Sequence, residues 1–187
     1  SLNYLVSFNS VTNAVLCAEK MRATFNKAML KSKNPYLHFK IGLNAGVPVC
    51  EKESIFEDCI QMAERLFEVV KGDIALSQEV RELYESENRN KAINKNAITL
   101  LQVRDEEFLN RLMDYTEKEF ANPFLNANEF CTCLGYSKSQ LYRKIISLTG
   151  LSPNNYLKLF RLKKAMELLK KNEDNISEIA YETGFTT

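Results

Sequence analysis

The side chains best placed by type and spacing to do chemistry lie in the run Gly135-Tyr136-Ser137-Lys138-Ser139-Gln140-Leu141-Tyr142-Arg143-Lys144. A planar guanidinium can bond a guanine edge through two parallel donors, so Arg143 is the expected base reader. Ser139 and Tyr142 suit secondary contacts, and Lys138 and Lys144 suit phosphate. That chemistry requires a helix lying in a DNA major groove.

The flanking residues supply such a helix. Phe130 to Leu134 reads as a short helix, Gly135 as its left-handed end and Ser137 as the cap of the next helix, Lys138 to Ser147. Leu134, Leu141 and Ile145 form a small core between the two. Lys138, Ser139, Tyr142, Arg143 and Ile146 then face the groove side. Thr149-Gly150-Leu151-Ser152-Pro153 is a turn, a cap at Ser152 and a proline at a helix's first position, where no amide is lost. The long helix Pro153 to Lys171 is expected to carry Tyr156, Leu159, Leu162, Ala165, Met166 and Leu169 inward. A second helix-glycine signal follows in Ile176-Ser177-Glu178-Ile179-Ala180-Tyr181-Glu182-Thr183-Gly184-Phe185. The pattern is a tandem helix-turn-helix, with double-stranded DNA as the expected partner. The second reading helix is expected after Phe185, beyond Thr187, so the reader is expected to be incomplete and its grip on DNA weak and salt-sensitive.

From about Asp105 to Thr187 the chain resembles the AraC-type DNA-binding domain. The entry helix Glu106 to Asn122 and the phrase Asn122-Pro123-Phe124-Leu125-Asn126 look like that family's lead-in. Cys131 stands where the family often has alanine, which suits a packed small residue. The resemblance implies two reading helices spaced about one DNA turn apart by the long helix.

Whole-chain charge gives no argument for nucleic acid, since the formal net charge is +1. Its distribution does. From Lys138 to Lys171 there are nine bases and one acid (Glu167), nine minus one or +8, either a footprint on phosphate or a solvated helix surface. Five cysteines, Cys17, Cys50, Cys59, Cys131 and Cys133, are odd in number and unpatterned, which favours a reducing, cytoplasmic setting over a disulfide framework. Cys131-x-Cys133 lacks a second ligand pair, and His38 reads as a strand side chain, so neither metal nor cofactor is expected. No apolar run reaches membrane-spanning length. The chain opens on Ser1, which reads as mid-domain, and is expected to be part of a longer protein.

The first half alternates strand and helix signals. Tyr4 to Phe8 is a short apolar strand signal, and Asn9 or Ser10 can cap a helix carrying Val11, Ala14, Val15, Ala18, Met21, Phe25 and Met29 on one face. Asn34-Pro35 breaks it. Leu37 to Leu43 suits a strand, with Gly42, Gly46 and Pro48 marking a bend around its end. A second helix carries Ile55, Cys59, Met62, Ala63, Leu66 and Val70 and ends near Gly72. Ile74 to Ser77 reads as a buried strand, Gln78 to Glu85 as a helix, Ser86 to Asn96 as a polar linker, and Ile98 to Val103 as a last strand. After Asp105 everything is helical, with Phe108, Leu109, Leu112, Met113, Thr116 and Phe120 on one face. The domain boundary is placed near Arg104, giving 1–103 and 104–187.

Residues 1–85 resemble a class III adenylate/guanylate cyclase domain. The likeness rests on Tyr4 to Val15, Lys40-Ile41-Gly42-Leu43-Asn44-Ala45-Gly46, Ile60 to Leu66 and Gly72-Asp73-Ile74-Ala75-Leu76-Ser77. It implies the back half of a ferredoxin-like sandwich, and assembly in pairs, because cyclase sites form between two chains. The family needs two metal-binding aspartates, plus an Asn and an Arg four apart on one helix. The second aspartate falls at about Leu2, which cannot ligate a hard cation. Gln61 stands at the Asn position, Arg65 keeps the Arg, and Glu57 replaces a glycine. The plainer reading of Arg65 is a surface pairing with Glu68 or Gln61 one turn away.

The fold expected is therefore α/β, a partial cyclase-like sandwich, followed by an all-α tandem helix-turn-helix domain. The function expected is transcription regulation by sequence-specific DNA binding, with an inactive cyclase-like module for sensing or dimerisation, no catalytic residues, and an unidentified small-molecule effector. The rival is a nucleotide cyclase with an appended DNA-binding domain. A third reading is an interaction module in which neither half acts alone.

Overall fold

The computed structural model describes residues 3–32, 38–46, 54–89, 93, 98–171 and 175–185, and the chain divides into two compact units, 1–106 and 107–187.

In the first unit α1 (Val11–Ser32) precedes β1 (Ile41–Leu43), α2 (Ser54–Val69), β2 (Ile74–Leu76), α3 (Gln78–Glu87) and β3 (Ile98–Leu100). The three strands form one parallel sheet in the order β1-β2-β3, with Gly42 opposite Ala75 and Ala75 opposite Thr99. Alternation along the strands divides the packing between two faces. Ile74, Leu76 and Ile98 pack with Val15 and Ala18 of α1 and Val80 and Tyr84 of α3. On the other face α2 lies directly on β1: a methyl group on Gly42 would stand 2.2 Å from the Ala63 carbonyl oxygen and 2.6 Å from the Phe67 nitrogen. Gly42 is thus the middle of a strand, kept small for helix contact, and not part of the bend expected there.

Other expectations are corrected too. Tyr4 to Phe8 is not a strand: among the described residues it has no ladder partner, and Tyr4, Leu5, Val6 and Phe8 are all exposed. A strand is made by pairing, which composition alone does not supply. Met21 is half exposed, off the buried face of α1. The polar linker is partly helical, since α3 runs to Glu87, and it contains an anchor, because Ile93 is buried in the core. β3 stops at Leu100, and Val103 opens the next helix. The antiparallel pairs of a ferredoxin-like sandwich are not among the described strands. Cys50, Leu37, Pro35, Pro48 and the position of the second metal aspartate, Leu2, lie outside the described residues, as does the side chain of Ile55.

The division falls within α4 (Val103–Glu119). The second unit continues with α5 (Ala127–Leu134), α6 (Lys138–Thr149), α7 (Pro153–Lys171) and α8 (Ile176–Glu182). Phe108, Leu109, Leu112, Met113 and Thr116 of α4 are buried with Phe130, Leu134, Leu141, Ile145, Tyr156 and Leu157. The Phe130 ring meets Tyr115 and Tyr156 edge-on, at 5.7 Å and 6.4 Å. On α7, Pro153, Tyr156 and Leu157 are inward, whereas Leu159, Leu162, Met166 and Leu169 are exposed. The helix carries two apolar stripes, and helical periodicity does not say which one faces the core. Ile176 is likewise exposed, while Ile179 is buried.

Among the described residues, no helix is long and apolar enough to cross a membrane, and no three His, Cys, Asp or Glu side chains gather as a metal site.

Candidate nucleic-acid interface

The turn between α5 and α6 is specified locally. Asn126 caps α5 by accepting from the Asn128 amide at 2.8 Å. Gly135 ends α5 at φ 74, a left-handed conformation in which a Cβ would be strained, and its amide bonds the Cys131 carbonyl at 3.0 Å. Ser137 then forms a capping box: its hydroxyl accepts from the Gln140 amide, and its own amide donates to Gln140 Oε1 at 3.1 Å. The sequence fixes where α6 begins, and therefore which side chains its outer face presents.

Leu141, Ile145 and Leu148 are buried, which orients the helix. Lys138, Ser139, Tyr142 and Arg143 are exposed on it, and Ile146 is half-buried. Arg143 Nε donates back to the Ser139 carbonyl at 3.3 Å, so the side chain lies along the helix surface one turn from Ser139. Beside this face a groove of about 380 Å³ is lined by Asn126, Asn128, Lys138, Tyr142, Ser152 and Asn154, among others. The exposed side chains offer donors, one aromatic face and two cations within residues 138–143.

Lys144 departs from this group. It is half-buried, and its Nζ lies 5.7 Å from the centre of the Phe108 ring on α4, so it packs on the scaffold helix. The basic stripe is similarly reapportioned. Arg161 Nε and Nη2 donate to the carbonyls of Phe120 and Asn122 at 2.8 and 2.7 Å, and burial lowers its pKa. Lys164 pairs with Glu117 and lies over Phe120 and Phe160. Lys163 reaches Glu167 at 3.9 Å. Lys138, Arg143, Lys158, Lys170 and Lys171 are the exposed remainder of the stripe. Sequence reasoning missed the uses of Lys144, Arg161 and Lys164 because a partner distant in sequence leaves no local signal, whereas Lys163 and Glu167 are one turn apart within α7.

The cyclase-like positions belong to α2. Gln61 is exposed and Arg65 half-buried. On the same helix, Cys59 accepts at its carbonyl from Asn44 Nδ2 at 3.2 Å, and burial raises its thiol pKa. Lys40, with its pKa lowered by burial, donates to the Val70 carbonyl at 3.0 Å and closes the end of α2. Cys131 is half-buried and Cys133 exposed, both within α5.

Comparison with known proteins bears first on residues 130–187. Residues 130–187 match the family model described as a helix-turn-helix domain. The chain is 36% identical over 78 residues to the HTH-type transcriptional activator RhaS of Escherichia coli, covering 42% of this chain and 28% of that one. It is also 36% identical over 95 residues to histidine kinase P4 of Formosa agariphila, covering 51% of this chain and 7% of that protein. The chain therefore spans under a third of the length of these curated relatives. Among solved structures, the C-terminal domain of AraT, a response regulator from Geobacillus stearothermophilus, aligns at a TM-score of 0.41 and 32% identity, over 43% of this chain and 66% of that one. The helix-turn-helix pattern expected from the sequence is supported by the family model and by the likeness to RhaS. Residues 130–187 are thus similar to the helix-turn-helix family.

Proposed function

We propose that this chain is the DNA-reading part of an AraC-type transcription regulator, with α6 entering the major groove. The observation that carries the reading is the division of α6 into a buried face (Leu141, Ile145, Leu148) and an exposed one (Lys138, Ser139, Tyr142, Arg143), set by the Ser137 capping box. Arg143 reads a base, Ser139 and Tyr142 make secondary contacts, and Lys138 takes a phosphate. Lys144, which shares its charge with Lys138, serves α6 packing first.

The test is selection of duplexes from a random pool by the wild-type chain, followed by binding at several salt concentrations. Arg143→Ala should lose about 1–3 kcal/mol of discrimination at one base position, whereas Lys138→Ala should weaken all duplexes alike and reduce the salt slope by about 1. An Arg143→Ala variant that discriminates as well as wild type overturns the base-reader assignment.

For the first unit the reading is a degenerate, inactive class III cyclase-like module that senses an effector or pairs two chains. It is supported by the replacement of the catalytic Asn by Gln61 and of a glycine by Glu57, with Arg65 kept. Absence of pyrophosphate release from ATP or GTP with manganese, measured on the full-length protein, would decide against the rival enzyme reading; robust turnover would sink the inactive one.

A further inference from the structure

The helix-turn-helix is gripped from outside by two residues of α4, one turn apart on the same face. Arg111 Nη2 donates to the carbonyls of Leu134 at 3.0 Å and Cys133 at 3.3 Å, the last two residues of α5. These are carbonyls that a helix end leaves without an intrahelical partner, and they carry the negative end of its dipole. The Cys131 carbonyl is already taken by the amides of Gly135 and Tyr136, at 3.0 and 3.1 Å. Phe108 holds the other side of the turn: its ring meets Tyr136 edge-on at 5.3 Å, and Lys144 of α6 reaches over it. One α4 residue thus fixes the end of α5, and its neighbour fixes the turn and α6.

We infer that Arg111 is a positioning residue for DNA reading: by capping α5 it sets the pose in which α6 presents Arg143. The inference rests on the DNA-reading proposal above. Arg111 needs no contact with DNA for this role. A guanidinium suits it because two donors on one nitrogen reach two successive carbonyls, whereas an ammonium on a flexible stem fixes no plane.

The test has an arm with DNA and an arm without. In the full chain free of DNA, Arg111→Ala should speed amide hydrogen exchange at Gly135, Tyr136 and Ser137 by roughly tenfold, leaving Ile145 and Leu148 unchanged. On duplexes selected by wild type against unselected ones, Arg111→Ala should lower the affinity ratio roughly tenfold, while affinity for unselected DNA holds. Arg111→Lys, which keeps the charge, should restore the turn and the ratio only in part. Unchanged exchange at the turn overturns the inference. So does an equal loss on both kinds of DNA that Arg111→Lys fully rescues, since that marks a phosphate contact. If the wild-type chain selects no sequence, the DNA-reading proposal fails, and the exchange arm still decides whether Arg111 fixes the turn. Should Arg111→Ala unfold the unit, Arg111→Gln, with a single amide donor group, carries the same comparisons.

Discussion

Arg161 of α7 closes the end of α4: its Nε donates to the Phe120 carbonyl at 2.8 Å and its Nη2 to the Asn122 carbonyl at 2.7 Å. By sequence it belongs to the basic stripe and would be counted toward DNA. Its half-buried position and two carbonyl partners make it a structural cation instead.

Removing it should therefore show in stability and not in salt dependence. Arg161→Ala strips two carbonyls of a charged donor and should cost about 1–3 kcal/mol, read from urea denaturation. The slope of DNA affinity against salt should match wild type, whereas Lys158→Ala or Lys170→Ala, at exposed positions, should lower it. A reduced slope for Arg161→Ala with unchanged stability would return Arg161 to the DNA-facing set.

Gly42 makes the corresponding claim for the first unit. The three nearest atoms to an added methyl group are the Ala63 oxygen at 2.2 Å, the Phe67 nitrogen at 2.6 Å and Leu66 Cβ at 2.9 Å. Two of them are backbone, which cannot swing aside as a side-chain tip would. Gly42→Ala should push α2 off β1 and cost about 1–3 kcal/mol or more. Hydrogen exchange should localise the loss to β1 and α2, with the α5 and α6 amides unaffected. An equally stable Gly42→Ala protein would mean that α2 does not sit this close to the strand.

What was legible beforehand divides along the same physical line. Ser137, Gln140, Gly135 and Pro153 act within a few residues of themselves, so the turn and the start of α6 could be read directly, and the exposed Lys138, Ser139, Tyr142 and Arg143 followed. The strands at Ile41 and Ile74 were marked by short apolar runs beside glycine. Tyr4 to Phe8 has the same composition without a partner, and partnership is a long-range property. The inward face of α7 was misread because two stripes share its periodicity, and the engagement of Lys144 and Arg161 depends on α4, far away in sequence.

Glu106 also acts at a distance, and its role is testable by pH. Its Oε1 accepts from the Gln78 amide at 2.6 Å at the start of α3, while Gln78 Oε1 accepts from the Val103 amide at 2.8 Å at the start of α4. The two helix starts thus cap each other. Burial raises the Glu106 pKa above 4.5; the bond from Gln78 pulls it back, and the neighbouring Glu79, Asp105 and Glu82 push it up further. A carboxyl raised in the folded state is less readily ionised there than in the unfolded chain. Its contribution to stability is therefore fully present below the unfolded value, near 4.5, and is lost as pH rises through the folded one. Glu106→Gln keeps the acceptor and removes the charge. Its stability relative to wild type should rise with pH across that window and then level off, as read from paired urea midpoints between about pH 4 and pH 8. A difference that falls with pH would mean that the Gln78 hydrogen bond outweighs burial and that the cap prefers the ionised carboxylate, and a flat one that the two effects cancel; either overturns the prediction.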